Sequence, residues 1–155
     1  MAWPKPNTEL NAGKTSPRPW YADGLAFECT GCGQCCSGPE EGYVWVSPAE
    51  IQAIAEYLKL TSDQVIQRYT RQVGRRVSLI EKEGADCVFL NEATDGMRAC
   101  AIYPVRPVQC RTWPFWPTNL RSPRAWSLAH GRCSGINRGR RHDLEHIENA
   151  AARTR

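Results

Sequence analysis

Cys29, Cys32, Cys35 and Cys36 stand within eight consecutive residues in the pattern C-x-x-C-x-x-C-C. A single C-x-x-C pair is a weak signal, shared by zinc knuckles and dithiol oxidoreductases. Four cysteines at this density say more. Free thiols have no packing reason to cluster, whereas a cation offsets the mutual repulsion of converging thiolates. The chemistry indicated is metal binding, through an iron–sulfur cluster or a structural Zn2+. Adjacent side chains on extended backbone point to opposite sides. Cys35 and Cys36 are therefore expected to serve two neighbouring sites, or different metals of one polynuclear cluster, rather than a lone ion. That expectation favours iron–sulfur, and a 4Fe–4S cluster in particular.

The first three cysteines match the opening of a bacterial ferredoxin run, whose fourth ligand follows after three residues. Pro39 occupies that place here, and the extra cysteine is Cys36. The knot thus cannot complete its site locally and must recruit ligands from Cys87, Cys100, Cys110 and Cys133. Eight thiols make two four-sulfur sites, or one such site plus structural or redox thiols. Arg106 and Arg111 flank Cys110. They either act on cluster sulfurs and thiol ionisation or tie loop carbonyls together.

Cys29 to Cys36, Cys87-Val88-Phe89-Leu90, and the run from Cys100 through Tyr103-Pro104 and Arg106-Pro107 to Cys110-Arg111 resemble the cysteine-cluster family named for its CxxCxxCC motif. Trp113-Pro114-Phe115 and Cys133-Ser134-Gly135-Ile136 are similar to its closing segments. The resemblance runs from about Phe27 to Gly139. It implies a zinc- or iron-chelating domain and supplies no reaction. Flagellin lysine methylases contain a similar motif, at which an iron–sulfur cluster is thought to sit.

Three other features are weaker. His142-Asp143-Leu144-Glu145-His146 has the H-x-x-E-H spacing of an inverted zinc-protease motif. Only nine residues follow, too few for the distant carboxylate such a site needs, so a solvated terminal helix is expected. His130 lies near Cys133 and reads as a surface or core histidine before a ligand. Trp113, Phe115 and Trp116 read as aromatic packing rather than a base-stacking platform.

The elements that must position the thiols are short. Gly31 and Gly33 permit the positive φ angles that fold the knot back on itself. Tyr43-Val44-Trp45-Val46 predicts a strand. Ser47-Pro48-Ala49-Glu50 predicts a capped helix start, with Ile51, Ile54, Ala55 and Leu58 as its apolar stripe. Thr61-Ser62-Asp63-Gln64 opens a second helix, with Val65, Ile66, Tyr69 and Val73 inward and Gly74 as its stop. Val77 to Ile80, Cys87 to Leu90 and Ala99 to Tyr103 read as strands, the last two joined by a hairpin loop over Asn91 to Gly96. Pro104, Pro107, Pro114, Pro117 and Pro123 are expected to forbid regular elements over a long stretch. Asp143 caps a last helix reaching toward Ala152.

The predicted fold is α+β, a small irregular single domain with two central helices and a cysteine-bound metal centre. Its parts are an N-terminal arm (1–24), the cysteine-cluster domain (25–140) and a C-terminal helix or tail (141–155). The 155 residues carry a net charge of +4, with arginines gathered late but interrupted by Asp143, Glu145 and Glu148. Nucleic acid is therefore not the expected partner, and a protein partner stays open. No run approaches the ~20 apolar residues of a membrane helix, and the first six residues have no apolar leader core. A cytoplasmic location is expected, in which eight cysteines serve as ligands or redox thiols rather than disulfides. No cofactor fingerprint or catalytic residue is identified, so a cluster- or thiol-dependent oxidoreductase and a zinc-stapled interaction module remain alternatives.

Overall fold

A computed structural model of the chain describes residues 17–38, 42–92 and 98–154. The fold is α+β, a single small domain. In chain order its elements are β1 (Leu25–Phe27), β2 (Val44–Val46), α1 (Pro48–Leu58), α2 (Ser62–Tyr69), β3 (Thr70–Val73) and β4 (Arg76–Leu79). Then come β5 (Leu90–Glu92), β6 (Arg98–Cys100), α3 (Val108–Thr112), α4 (Pro117–Leu120), α5 (Pro123–His130), β7 (Ile136–His142) and α6 (Leu144–Arg153).

Both expected capping boxes are present. The Ser47 hydroxyl accepts from Glu50 N–H while Glu50 accepts from Ser47 N–H, and Thr61 and Gln64 repeat the arrangement. Each pair satisfies two orphan amides at a helix start. Ile51, Ile54 and Ala55 of α1 are buried, as the stripe required. With Val46, Val65, Leu79, Phe89 and Ile102 they form one apolar cluster, against which Cys87 and Cys100 pack.

The second helix is shorter than expected. It ends at Tyr69, and Val73 belongs to β3, which turns at Gly74 into β4 in antiparallel register. Tyr69 and Val73 share a helical spacing, but Gly74, at φ 59°, serves a hairpin turn rather than a helix cap. Ile66, expected inward, is 45% exposed. Strands β2, β4 and β3 form a sheet in that order. Strands β5 and β6 pair as the expected hairpin, Leu90 opposite Cys100; most of its loop lies outside the described residues. Cys87 itself makes only an isolated bridge to Glu81, and Ile102 and Tyr103 leave the strand for a turn.

The proline-rich stretch is more regular than expected. Pro117 and Pro123 each sit in the first turn of a short helix, α4 and α5. Proline lacks an N–H that the first turn would leave unused, and its fixed φ suits the helix start. Those residues therefore begin helices instead of preventing them.

A second apolar cluster joins Leu25, Phe115, Leu120, Trp126, Ala129, Cys133, Ile136 and Ile147. It is closed by β1 pairing with β7, whose register jumps between Ala26 and Phe27. Asp143 caps α6 as expected, and the fully buried Ile147 fixes that helix to the cluster. His142 ends β7, not a helix, and its ring stacks on His146 at 4.4 Å with Phe115 beside both. The described part of the N-terminal arm is held by Trp20, whose indole N–H donates to Leu120 O.

Candidate metal centre

The loop from Cys29 to Cys36 runs from one apolar cluster to the other. At its start, Glu28 N–H donates to Gly135 O and Thr30 shares a hydrogen bond with Ser134. At its end, Cys87 N–H donates to Cys36 O at 2.7 Å. Gly31 and Gly33 take φ of 68° and 67°, as the fold-back required. A Cβ at Gly33 would stand 2.9 Å from Arg98 Cβ and 3.0 Å from Leu90 Cδ1, so the loop lies directly on the β5–β6 pair.

Beyond the knot, the Asp86 carboxylate accepts from the Ser37 hydroxyl and from Arg98 Nη2, the latter at 2.5 Å. Arg98 Nη2 also donates to Ser37 Oγ. The Ser37 hydrogen bond and then the arginine hold the Asp86 carboxyl below its ordinary range. This clasp binds the end of the knot to the residue before Cys87 and to the strand that carries Cys100. Asp86 and Arg98 were not singled out in the sequence, because nothing local distinguishes them from surface charges.

Cys110 is carried by α3, whose position is fixed by two polar side chains. Glu50 Oε1 accepts from Val108 N–H at 2.7 Å. Gln109 accepts from Trp45 N–H at 3.0 Å and donates to Tyr43 O at 2.8 Å, which ties α3 to β2. Burial works to raise the Glu50 carboxyl, but hydrogen bonds from Val108 and Ser47 outweigh it and hold it low. Glu50 was legible as a cap; its second task was not.

The knot residues Gln34–Cys36 form one 3-10 turn. The extended backbone assumed from sequence is therefore absent, and the two adjacent side chains do not diverge. Cys35 Sγ and Cys36 Sγ are 3.9 Å apart. A tetrahedral ion with sulfurs at about 2.3 Å has ligand sulfurs about 3.8 Å apart, so this pair is spaced as two ligands of one metal ion. The two thiols share a hydrogen bond in which either can be the donor. That hydrogen bond brings Cys35 down to about 7 and pushes Cys36 up.

Cys87, Cys100 and Cys110 share the electrostatic neighbourhood of Cys35, Cys36 or both. Burial, then the facing sulfurs of Cys87, Cys35 and Cys100, push the Cys110 thiol well up. Burial likewise raises Cys87 and Cys100, with the neighbouring Cys100 and Cys35 sulfurs respectively adding to it. Thiolates so arranged repel, and a cation among them removes the penalty. Arg106 supplies part of that compensation, acting on Cys35, Cys100 and Cys110. Both arginines also tie loop carbonyls: Arg106 donates to Tyr103 O at 2.8 Å and Arg111 to Arg106 O at 2.7 Å.

Cys32 adjoins this group, in the field of Cys35. Burial would raise its thiol, but hydrogen bonds from Gln34 N–H, Thr30 and Ser134 lower it. Cys29 is exposed at the mouth of the loop, and Cys133 is buried in the cluster of Phe115 and Ile136. His130 is exposed at the end of α5. Among the described residues, no three His, Cys, Asp or Glu side chains already surround one point as ligands of an ion. All eight cysteines are free thiols. A cavity of about 340 Å³ adjoins the sulfurs, lined by Cys35, Cys36 and Cys87 and by Tyr43, Trp113 and Trp116. The donor set is entirely soft sulfur, which fits an iron–sulfur cluster and thiolate-bound zinc alike.

Residues 28–140 match the CxxCxxCC family, described as a "putative zinc- or iron-chelating domain". The match covers most of the chain, which therefore belongs to that family. An uncharacterized protein of Methanocaldococcus jannaschii is 36% identical over 95 residues, 61% of this chain and 48% of that protein. The chain thus spans about half the length of this relative. No solved structure matches it. No helix among the described residues is long and apolar enough to cross a membrane.

Proposed function

We propose that this member of the cysteine-cluster family holds an iron–sulfur cluster, with ligands drawn from Cys32, Cys35, Cys36, Cys87, Cys100 and Cys110. One observation carries the reading: Cys35, Cys36 and Cys87 line one cavity, with Cys87 N–H bound to Cys36 O, and burial beside these sulfurs raises the Cys100 and Cys110 thiols brought in by two further segments of chain. A tetrahedral zinc takes four ligands. An iron–sulfur cluster also takes four, but they bind different irons and so stand farther apart than the ligands of a single ion. The cluster would supply electron transfer or structural pinning, while the chain's own part is to converge the thiols and to set Arg106 against their charge. Cys29 and Cys133 stand outside this ligand set.

The 3.9 Å spacing of Cys35 and Cys36 favours a second reading, a single zinc gripped by that pair and two of the other thiols. Anaerobic purification of the full chain, followed by elemental analysis and a visible spectrum, separates the two. The cluster reading predicts brown protein with iron and acid-labile sulfide together. Colourless protein with one zinc per chain would replace it with the second reading.

A further inference from the structure

We propose that Cys35 and Cys36 close into a disulfide with each other when the centre holds no metal and meets a small-molecule disulfide. The inference goes beyond the metal reading, which it needs only for the condition that metal be absent.

The 3-10 turn at Gln34–Cys36 sets two neighbouring side chains on the same side, with their sulfurs 3.9 Å apart and in hydrogen-bonding contact. Among the described residues no other pair of sulfurs is in such contact. Cys32, the partner expected from a C-x-x-C spacing, makes no sulfur–sulfur contact of this kind among the described residues. Cys35 is exposed, so a disulfide of glutathione size reaches it. Adjacent Cα atoms across a trans peptide are about 3.8 Å apart, short of the roughly 4.4–6.8 Å of ordinary disulfides. The product is therefore strained and readily reduced again, as a reversible modification requires.

The steps balance. The Cys35 thiolate attacks one sulfur of glutathione disulfide, breaking its S–S bond, forming a Cys35–glutathione mixed disulfide and expelling one glutathione thiolate. Cys36 loses its proton to solvent and attacks Cys35 Sγ, forming the protein disulfide and expelling the second glutathione thiolate. The two protein thiols are oxidised by two electrons, and one glutathione disulfide is reduced to two glutathione molecules.

The test treats the metal-free full chain with glutathione disulfide, followed by thiol titration and intact mass. Two of the eight thiols should disappear, with the mass of two hydrogens lost and no glutathione retained. Cys36→Ser should instead trap one glutathione on Cys35. Cys29→Ser/Cys32→Ser should still lose two thiols. Abolition of the loss by Cys32→Ser would assign the bond to Cys32 and overturn the inference, as would a stable glutathione adduct on the unsubstituted chain. A chain that takes up metal but forms no Cys35–Cys36 bond fails this inference alone. One that forms the bond but never takes up metal sustains it and fails the cluster reading.

Discussion

Cys110→Ser should emerge from purification without stoichiometric metal and markedly less stable than the unsubstituted chain. Its sulfur faces three others from within the protein, and α3, which carries it, is pinned by Glu50 and Gln109. A serine hydroxyl is a harder donor that ionises far less readily, so it does not replace a thiolate at a soft metal. Structural metal contributes on the order of 10 kcal/mol to folding, comparable with the 5–15 kcal/mol that roughly bounds the stability of a domain. Losing it is expected to lower the melting midpoint sharply. Cys133→Ala is the control. Its side chain packs with Phe115, Trp126 and Ile136, so it should lose stability while keeping its metal. Metal-to-protein ratios and thermal melts of the two variants check the contrast. Equal metal retention would place Cys110 outside the ligand set.

Phe89→Ala should cost about 3–5 kcal/mol, as large aromatic truncations in a packed core do. Phe89 is 4% exposed, rests against Tyr69 at 4.8 Å and belongs to the cluster that backs Cys87 and Cys100. Its carbonyl accepts from Ala101 N–H, next to Cys100. The void therefore opens behind two of the proposed ligands, and chelator-driven metal loss should quicken along with the fall in stability. Denaturant titration and the rate of transfer to a chelator measure both. A variant that unfolds more readily but surrenders metal at the original rate would separate the core from the centre.

How much the sequence revealed depends on the range of the signal. The helix starts at Ser47 and Thr61 were legible because a cap needs only residues three apart. The knot was legible for the same reason. Strand β3 was not, because Val73 continues the helical period of Val65, Ile66 and Tyr69 until β4 offers it a partner across Gly74. Strand β7, Ile136–His142, carries one asparagine and three arginines, all exposed, around Gly139 and shows no alternation. Its pairing with Leu25–Phe27 is set by the distant partner. The direction of Cys35 and Cys36 was misread because a 3-10 turn replaced the assumed extended backbone. The Asp86–Arg98–Ser37 clasp joins residues separated by up to 61 positions, beyond any local pattern.

X-ray absorption at the metal edge of anaerobically purified full chain shows whether the gathered thiols hold a metal. Stoichiometric metal with a first shell of sulfur alone is expected, and metal–metal scattering behind it for a cluster. A first shell of nitrogen and oxygen, or a chain without stoichiometric metal, would contradict it.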